Sequence, residues 1–232
     1  MKIKREVLTD FLSKMQLSDE QTISECLFRF EEEGLKIDAT SATQMCQVLS
    51  WLKKDAFDSY EAIGNIGINE MKKLIDVLKR FSNVITLEHE GNLLTIKGNK
   101  KVVEFELVSE AFLDTPKEVP ELKFEDVIIL DGKQLKEVAN DASLNKNVEI
   151  KVTTKPKNVL FENTGKYKFK NIFACDTAKG GVEVAFGKPF LSCTAPLTGK
   201  LEISLANNYP AKIMEKTDVS VITIIVAPFV TE

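Results

Sequence analysis

The sequence predicts a duplicated α+β domain, with amphipathic helices packed on one face of antiparallel sheets. Three observations carry that expectation. The order strand, helix, a set of strands, helix and three strands runs twice along 232 residues. Apolar residues alternate with a period of two in most segments and follow a period of 3.6 in only a few. An acidic, proline-bearing stretch without periodicity separates the two runs near the middle of the chain. With 44% hydrophobic residues, the chain has enough apolar material for an ordinary packed core.

In the first half, MKIKRE opens as a short strand, and REVLTDFLSKMQ places Leu8, Phe11, Leu12 and Met15 at helical spacing. After a polar stretch, ECLFRFEEEG and LKIDATSA alternate as two strands about a turn, with Gly34 at its tight position. MCQVLSWLKKDAF and YEAIGNIGI continue the β pattern. NEMKKLIDVLKRF, Asn69 to Phe81, is the most regular segment: Met71, Leu74, Ile75, Leu78 and Phe81 form an apolar stripe, and Asn69 suits the N-cap. VITLEHEG, NLLTIKGN and KVVEFELVS close this half as strands.

FLDTPKEVPELKFED, Phe112 to Asp126, holds two prolines and five acidic residues, and reads as an extended connector between domains at 1–111 and 127–232. Beyond it VIILD is a strand, and GKQLKEVANDAS a helix with Leu135, Val138, Ala139 and Ala142 inward. VEIKVTTK, NVLFENTG, KYKFKNIFACD and VEVAFG follow as strands. PFLSCTAPL stands where the second helix of the repeat belongs; it is short, carries proline and has no basic residue, so a turn or stub is expected. KLEISLAN, AKIMEKT and SVITIIVAP complete the pattern. Identity between the halves is thin, and the duplication rests on the order of elements.

The chain is acidic, with 35 Asp plus Glu against 31 Lys plus Arg and a formal net charge of -4. Its helices nevertheless carry cations on their polar sides: Lys14 on the first, Lys72, Lys73, Lys79 and Arg80 on the second, Lys133 and Lys136 on the third. Asp10, Asp76, Glu137 and Asp141 dilute that field. A moderate positive face suits loose, sequence-blind contact with phosphates better than base reading. No aromatic residues interleave with the lysines, which argues against a single-strand stacking platform and for a double-stranded backbone. Acidity elsewhere would confine DNA to the helical side.

Enzymatic chemistry finds no foothold in these residues. Cys26, Cys46, Cys175 and Cys193 form no CxxC pair and read as buried thiols, while the single histidine, His89, reads as a surface turn residue. The glycines of GNIG and KGG lack the Lys-Ser/Thr of a phosphate loop. No catalytic residue, metal site or cofactor is therefore predicted. VITIIVAPFV is shorter than the roughly 20 apolar residues of a membrane-spanning helix, and the Met1 end lacks a signal-peptide core. A soluble protein of the cytoplasm or nucleoid is expected.

Several stretches, in order and spacing, carry a resemblance: GLKIDATSATQMCQVLSWL, VPELKFEDVIIL, the DAS ending the third helix, and NNYPAKIMEKTDVSVITIIVAPFVTE. Together they make the chain similar to the DNA polymerase sliding clamps of the proliferating cell nuclear antigen (PCNA) type, archaeal and phage versions included. The resemblance implies duplicated clamp domains and a ring of three identical subunits, with helices lining the hole around double-stranded DNA. It implies a DNA polymerase and a clamp loader as partners, and no cofactor. The basic positions Lys14, Lys72, Lys73, Lys79, Arg80, Lys133 and Lys136 match the DNA-facing lining. A pocket for a short hydrophobic partner peptide would draw on Thr40, Gln44 and Met45 in a loop, Leu122 and Phe124 from the connector, and Pro210, Ala227 and Pro228 near the C-terminus. Subunits would join through KVVEFELVS and KYKFKNIFACD as edge strands. Two alternatives remain: a specialised clamp-like subunit of a checkpoint or transcription ring, and a small enzyme using a cysteine or lysine. The shortened PFLSCTAPL looks more like phage clamps than cellular ones.

Overall fold

The computed structural model describes residues 1–229 apart from Thr115, Lys117, residues 146–148 and Thr164. In the first half the order is β1 (Lys2–Lys4), α1 (Arg5–Met15), β2 (Cys26–Glu31), β3 (Gly34–Thr40), β4 (Cys46–Lys53), β5 (Phe57–Ser59) and β6 (Gly64–Ile68). Then come α2 (Met71–Leu78), β7 (Val84–Glu90), β8 (Leu93–Gly98) and β9 (Lys101–Glu106). The second half opens with β10 (Asp126–Asp131), α3 (Gly132–Ala142), β11 (Glu149–Lys155), β12 (Asn158–Asn163) and β13 (Phe169–Ala174). It ends with β14 (Glu183–Gly187), α4 (Lys188–Thr194), β15 (Lys200–Leu205), β16 (Ala211–Lys216) and β17 (Ser220–Val226).

Three antiparallel sheets result, ordered β5-β1-β7-β8-β9, β10-β15-β16-β17-β4-β3-β2-β6 and β13-β12-β11-β14. The order exposes the repeat. Strands β1-β7-β8-β9 correspond to β10-β15-β16-β17, and β6-β2-β3-β4 to β14-β11-β12-β13. Inside the chain the halves are welded where β17 pairs with β4, antiparallel from Ser220 opposite Leu52 to Val226 opposite Cys46. Their counterparts, β9 and β13, each lie at the edge of a sheet.

Alternation in most strands buries one face. In β4 the residues Cys46, Val48, Ser50 and Leu52 are buried and their neighbours half-exposed; in β17 Ile222, Ile224 and Val226 are buried. On that face α1 sits against β4 and β17, with Leu8, Phe11, Leu12 and Met15 buried and Ser50 Oγ 3.8 Å from Met15 Sδ. Helix α4 packs on β17 from the same side, α2 lies beside α1, and α3 beside α4. The helices thus share a side of the sheets, as the amphipathic spacing predicts. Gly34 enters β3 at φ 135°, and a Cβ there would stand 2.2 Å from the Leu52 carbonyl, so only glycine fits.

Four details differ from the sequence expectation. The second helix begins at Met71 with Glu70, not Asn69, at the N-cap, and no side chain caps it. The Ser24 carbonyl takes that role by accepting the Met71 N–H at 2.9 Å. The helix is also shorter, but a tight turn carries the chain on to Phe81, which is buried. MCQVLSWLKKDAF is not continuous: β4 ends at Lys53, a 3-10 turn spans Lys54–Ala56, and β5 crosses to a different sheet to pair with β1. PFLSCTAPL yields a true though short helix, α4, because Pro189 falls in its first turn, where proline lacks nothing the helix needs.

Candidate functional site

Three surfaces have functional geometry, and each grows from the alternations above. The first is cationic. Helix α2 buries Met71, Leu74, Ile75 and Leu78, and that rotation leaves Lys72, Lys73, Lys79 and Arg80 exposed. Helix α3 is held at its start by a reciprocal cap: Asp131 Oδ1 accepts from Lys133 N, and Gln134 Oε1 from Asp131 N, both at 2.8 Å. Lys133 and Lys136 are exposed on its outer side. Lys73 pairs with Glu70 at 2.9 Å and Lys79 more loosely with Asp76 at 3.8 Å. Among the described residues no ion pair engages Lys72, Arg80, Lys133 or Lys136.

Lys14 departs from this group. Its side chain is only 12% exposed, and Nζ lies 2.9 Å from Glu215 and 3.1 Å from Asp10. Burial alone would lower the ammonium's pKa, but hydrogen bonds to Glu215 and Asp10 hold it above the ordinary lysine value. Glu215, on β16, also accepts from the amides of Thr198 and Gly199. The spacing that puts Lys14 on the polar side of α1 is right, yet the neighbouring sheet contributes a buried carboxylate that captures it.

The second surface is a groove of about 780 Å³. Thr40, Gln44 and Met45 line it from the β3–β4 loop, and Pro210 and Ala227 from the C-terminal half, five of the eight residues expected. The loop is tied to the chain's far end, because Ala227 N donates to the Met45 carbonyl at 2.9 Å. Leu122, Phe124 and Pro228 do not line the cavity. Phe124 packs instead edge-on against Tyr209, ring centroids 6.2 Å apart, so the end of the connector docks beside Pro210, while its beginning lines the groove through Asp114 and Pro116. Sequence reading missed Ile225 and the acidic rim of Glu25 and Asp114. Ile225 was findable, since its buried neighbours Ile224 and Val226 force it to the outer face.

The third surface comprises the edge strands β9 and β13. Val102 on β9 is 59% exposed and Ile172 on β13 is 61% exposed, unusual values for apolar side chains in mid-strand.

All four cysteines are buried and unbridged. Burial pushes the Cys26 thiol up, and a hydrogen bond with Cys46 followed by burial does the same to Cys193, opposite to what a nucleophile needs. His89 sits near the end of β7 with Nε2 2.9 Å from the Gly91 carbonyl. Among the described residues no cluster of three or more His, Cys, Asp or Glu could hold a metal ion, and no helix is long and apolar enough to cross a membrane.

No family model matches the chain. Curated proteins do. It is 30% identical to the DNA polymerase sliding clamp of Nanoarchaeum equitans over 130 residues, which cover 52% of this chain and 51% of that protein. Identity to DNA polymerase sliding clamp 1 of Thermococcus kodakarensis is 32% over 129 residues, 53% of this chain and 51% of the other. The chain thus spans about half the length of these relatives in the aligned stretch. Against the DNA polymerase sliding clamp of Methanococcus vannielii the identity is 24% over 225 residues, covering 89% and 90%. Among solved structures, A. fulgidus PCNA bound to the C-terminal region of FEN-1 superposes with a TM-score of 0.87, at 19% identity, over 100% of this chain and 98% of that one. PCNA from Entamoeba histolytica gives 0.84, at 19% identity, over 99% and 98%. The chain is PCNA-like: it has the PCNA fold, and its sequence is similar to those of archaeal DNA polymerase sliding clamps.

Proposed function

We propose that this chain is a sliding clamp, a non-enzymatic processivity factor that closes as a ring around double-stranded DNA and tethers DNA polymerase and other replication or repair proteins. One observation carries the reading. The free edges β9 and β13 are the counterparts of β17 and β4, which already pair inside the chain. Repeating that weld between copies adds subunits head to tail, and closure removes every such edge. Three copies, each with a domain at 1–111, a connector at 112–126 and a domain at 127–232, would complete the ring.

Within it, Lys72, Lys73, Lys79, Arg80, Lys133 and Lys136 face the duplex. Their exposure supports weak phosphate contact, which permits sliding. The groove receives a short hydrophobic peptide from client proteins; the FEN-1 segment on the A. fulgidus relative supports that use. A separate loader opens and closes the ring.

Light scattering tests the assembly: three times the chain mass of 26.0 kDa is expected, and an obligate monomer would point to a mixed ring with other subunits. Retention on DNA tests the topology. With a loader present, the protein should stay on a nicked circle and escape once the circle is linearised. Equal retention on both forms would overturn encirclement.

A further inference from the structure

The polar stretch between α1 and β2 enters the fold as a buried hydrogen-bond hub. Gln21 ends a 3-10 turn over Asp19–Gln21 and is 3% exposed. Its Oε1 accepts from Ser41 Oγ at 2.9 Å and from Thr43 Oγ1 at 2.6 Å. Ser41 Oγ accepts in turn from Cys46 N at 3.1 Å, and the Ser41 carbonyl accepts from Gln44 N at 2.8 Å. These bonds run from one end of the β3–β4 loop to the other. The turn is fixed from behind as well, because Gln21 N donates to the Ser18 carbonyl and Ser18 Oγ to the Ser192 carbonyl on α4.

The loop needs such a tether. Gln44 stands at φ 57°, a left-handed conformation that is costly for a residue other than glycine. Ala42, Gln44 and Met45 line the groove, and Gln21 does not.

We propose that Gln21 is a positioning residue for the groove, holding the β3–β4 loop in its binding shape before a peptide arrives. One amide oxygen with two lone pairs satisfies both hydroxyls at once, so the loop's ordering is met during folding rather than on association. The proposal rests on reading the groove as a peptide site.

Two variants of the 232-residue chain test it. Gln21→Met keeps length and removes the acceptor, whereas Gln21→Glu keeps an acceptor for both hydroxyls. Amide hydrogen exchange at Gln44 and Cys46 is read beside binding of a synthetic FEN-1 C-terminal peptide by calorimetry. For Gln21→Met, exchange about tenfold faster at these amides alone and affinity about tenfold weaker are expected, with both partly restored in Gln21→Glu, whose buried carboxylate keeps the two hydroxyl donors at a cost in overall stability. Unchanged exchange and affinity in Gln21→Met would overturn the proposal, as would faster exchange spread evenly to β11 and β12. Faster loop exchange in a protein whose wild type ignores the peptide would support the tether and overturn the groove reading alone.

Discussion

At the scale of single residues, the buried charges make the sharpest statements. Lys14 is held by a carboxylate that is itself 3% exposed, so removing the cation strands Glu215 with only two amide donors. Lys14→Met should cost about 3 kcal/mol in urea denaturation at neutral pH, and should leave the salt dependence of DNA association unchanged. Because the folded pKa is raised, the pair's stabilisation is full below the ordinary value of 10.5 and is lost as pH rises through the folded value. Asp126 behaves oppositely. Burial would raise its pKa, but donation from Gly180, Lys179, Thr154 and Val127 holds it below the ordinary 3.8. Its contribution is present above 3.8 and disappears as pH falls through the folded value. Thermal melts across the acid range should therefore show a shallower loss for Asp126→Asn, which begins less stable at pH 7. An identical acid limb in wild type and variant would contradict that assignment.

Helices and strands decide what can be changed without unfolding the protein. Since α2 and the turn that follows it hold Lys72, Lys73, Lys79 and Arg80 outward and the apolar stripe inward, reversing these four to Glu should leave circular dichroism and assembly mass unaltered. Loading or sliding should fail, and the salt slope of DNA association should flatten by about 0.9 for each phosphate that is no longer neutralised. Normal processive synthesis by that variant would refute the lining. Periodicity made these elements legible: a period of two or 3.6 is dictated by the backbone, and nearly every strand lies where alternation predicts it. Alternation marks β9 and β13 as strands, but that they are edges was implied by the resemblance alone. What stayed hidden depends on contacts far apart in sequence. Nothing near Lys14 announces Glu215, nothing in the polar run before β2 announces that Gln21 reaches Ser41 and Thr43, and the Ser24 carbonyl that starts α2 lies 47 positions before Met71. Phe124 was misassigned because an apolar connector residue fits either a groove or a neighbouring ring, and only the fold selects Tyr209.

On the scale of the assembly, the repeat specifies a register. The weld between β17 and β4 is antiparallel, so a copy's β9 should meet its neighbour's β13 in the same sense. Val103 and Phe105 are turned toward the covered face of β9, as are Phe169, Asn171 and Phe173 on β13, while Val102, Glu104, Lys170 and Ile172 are turned outward. Opposed residues in an antiparallel pair share a face, which restricts the pairing to steps of two residues. Setting Val102 opposite Ile172 also sets Glu104 opposite Lys170 and Glu106 opposite Lys168. A slip of two residues in one direction would instead set Glu104 against Ile172 and leave Val102 facing Ala174. Each cross-strand pair contributes only about 0.2–1 kcal/mol, but the pairs would recur at every joint of the proposed ring, and like charges directly opposed are destabilising. Glu104→Lys with Glu106→Lys should accordingly break the assembly to monomers at low ionic strength. High salt should partly rescue it, and combining those changes with Lys168→Glu and Lys170→Glu should restore the full mass by light scattering. If the four-fold variant stays monomeric, or the double variant remains assembled, the two edges do not meet in this register.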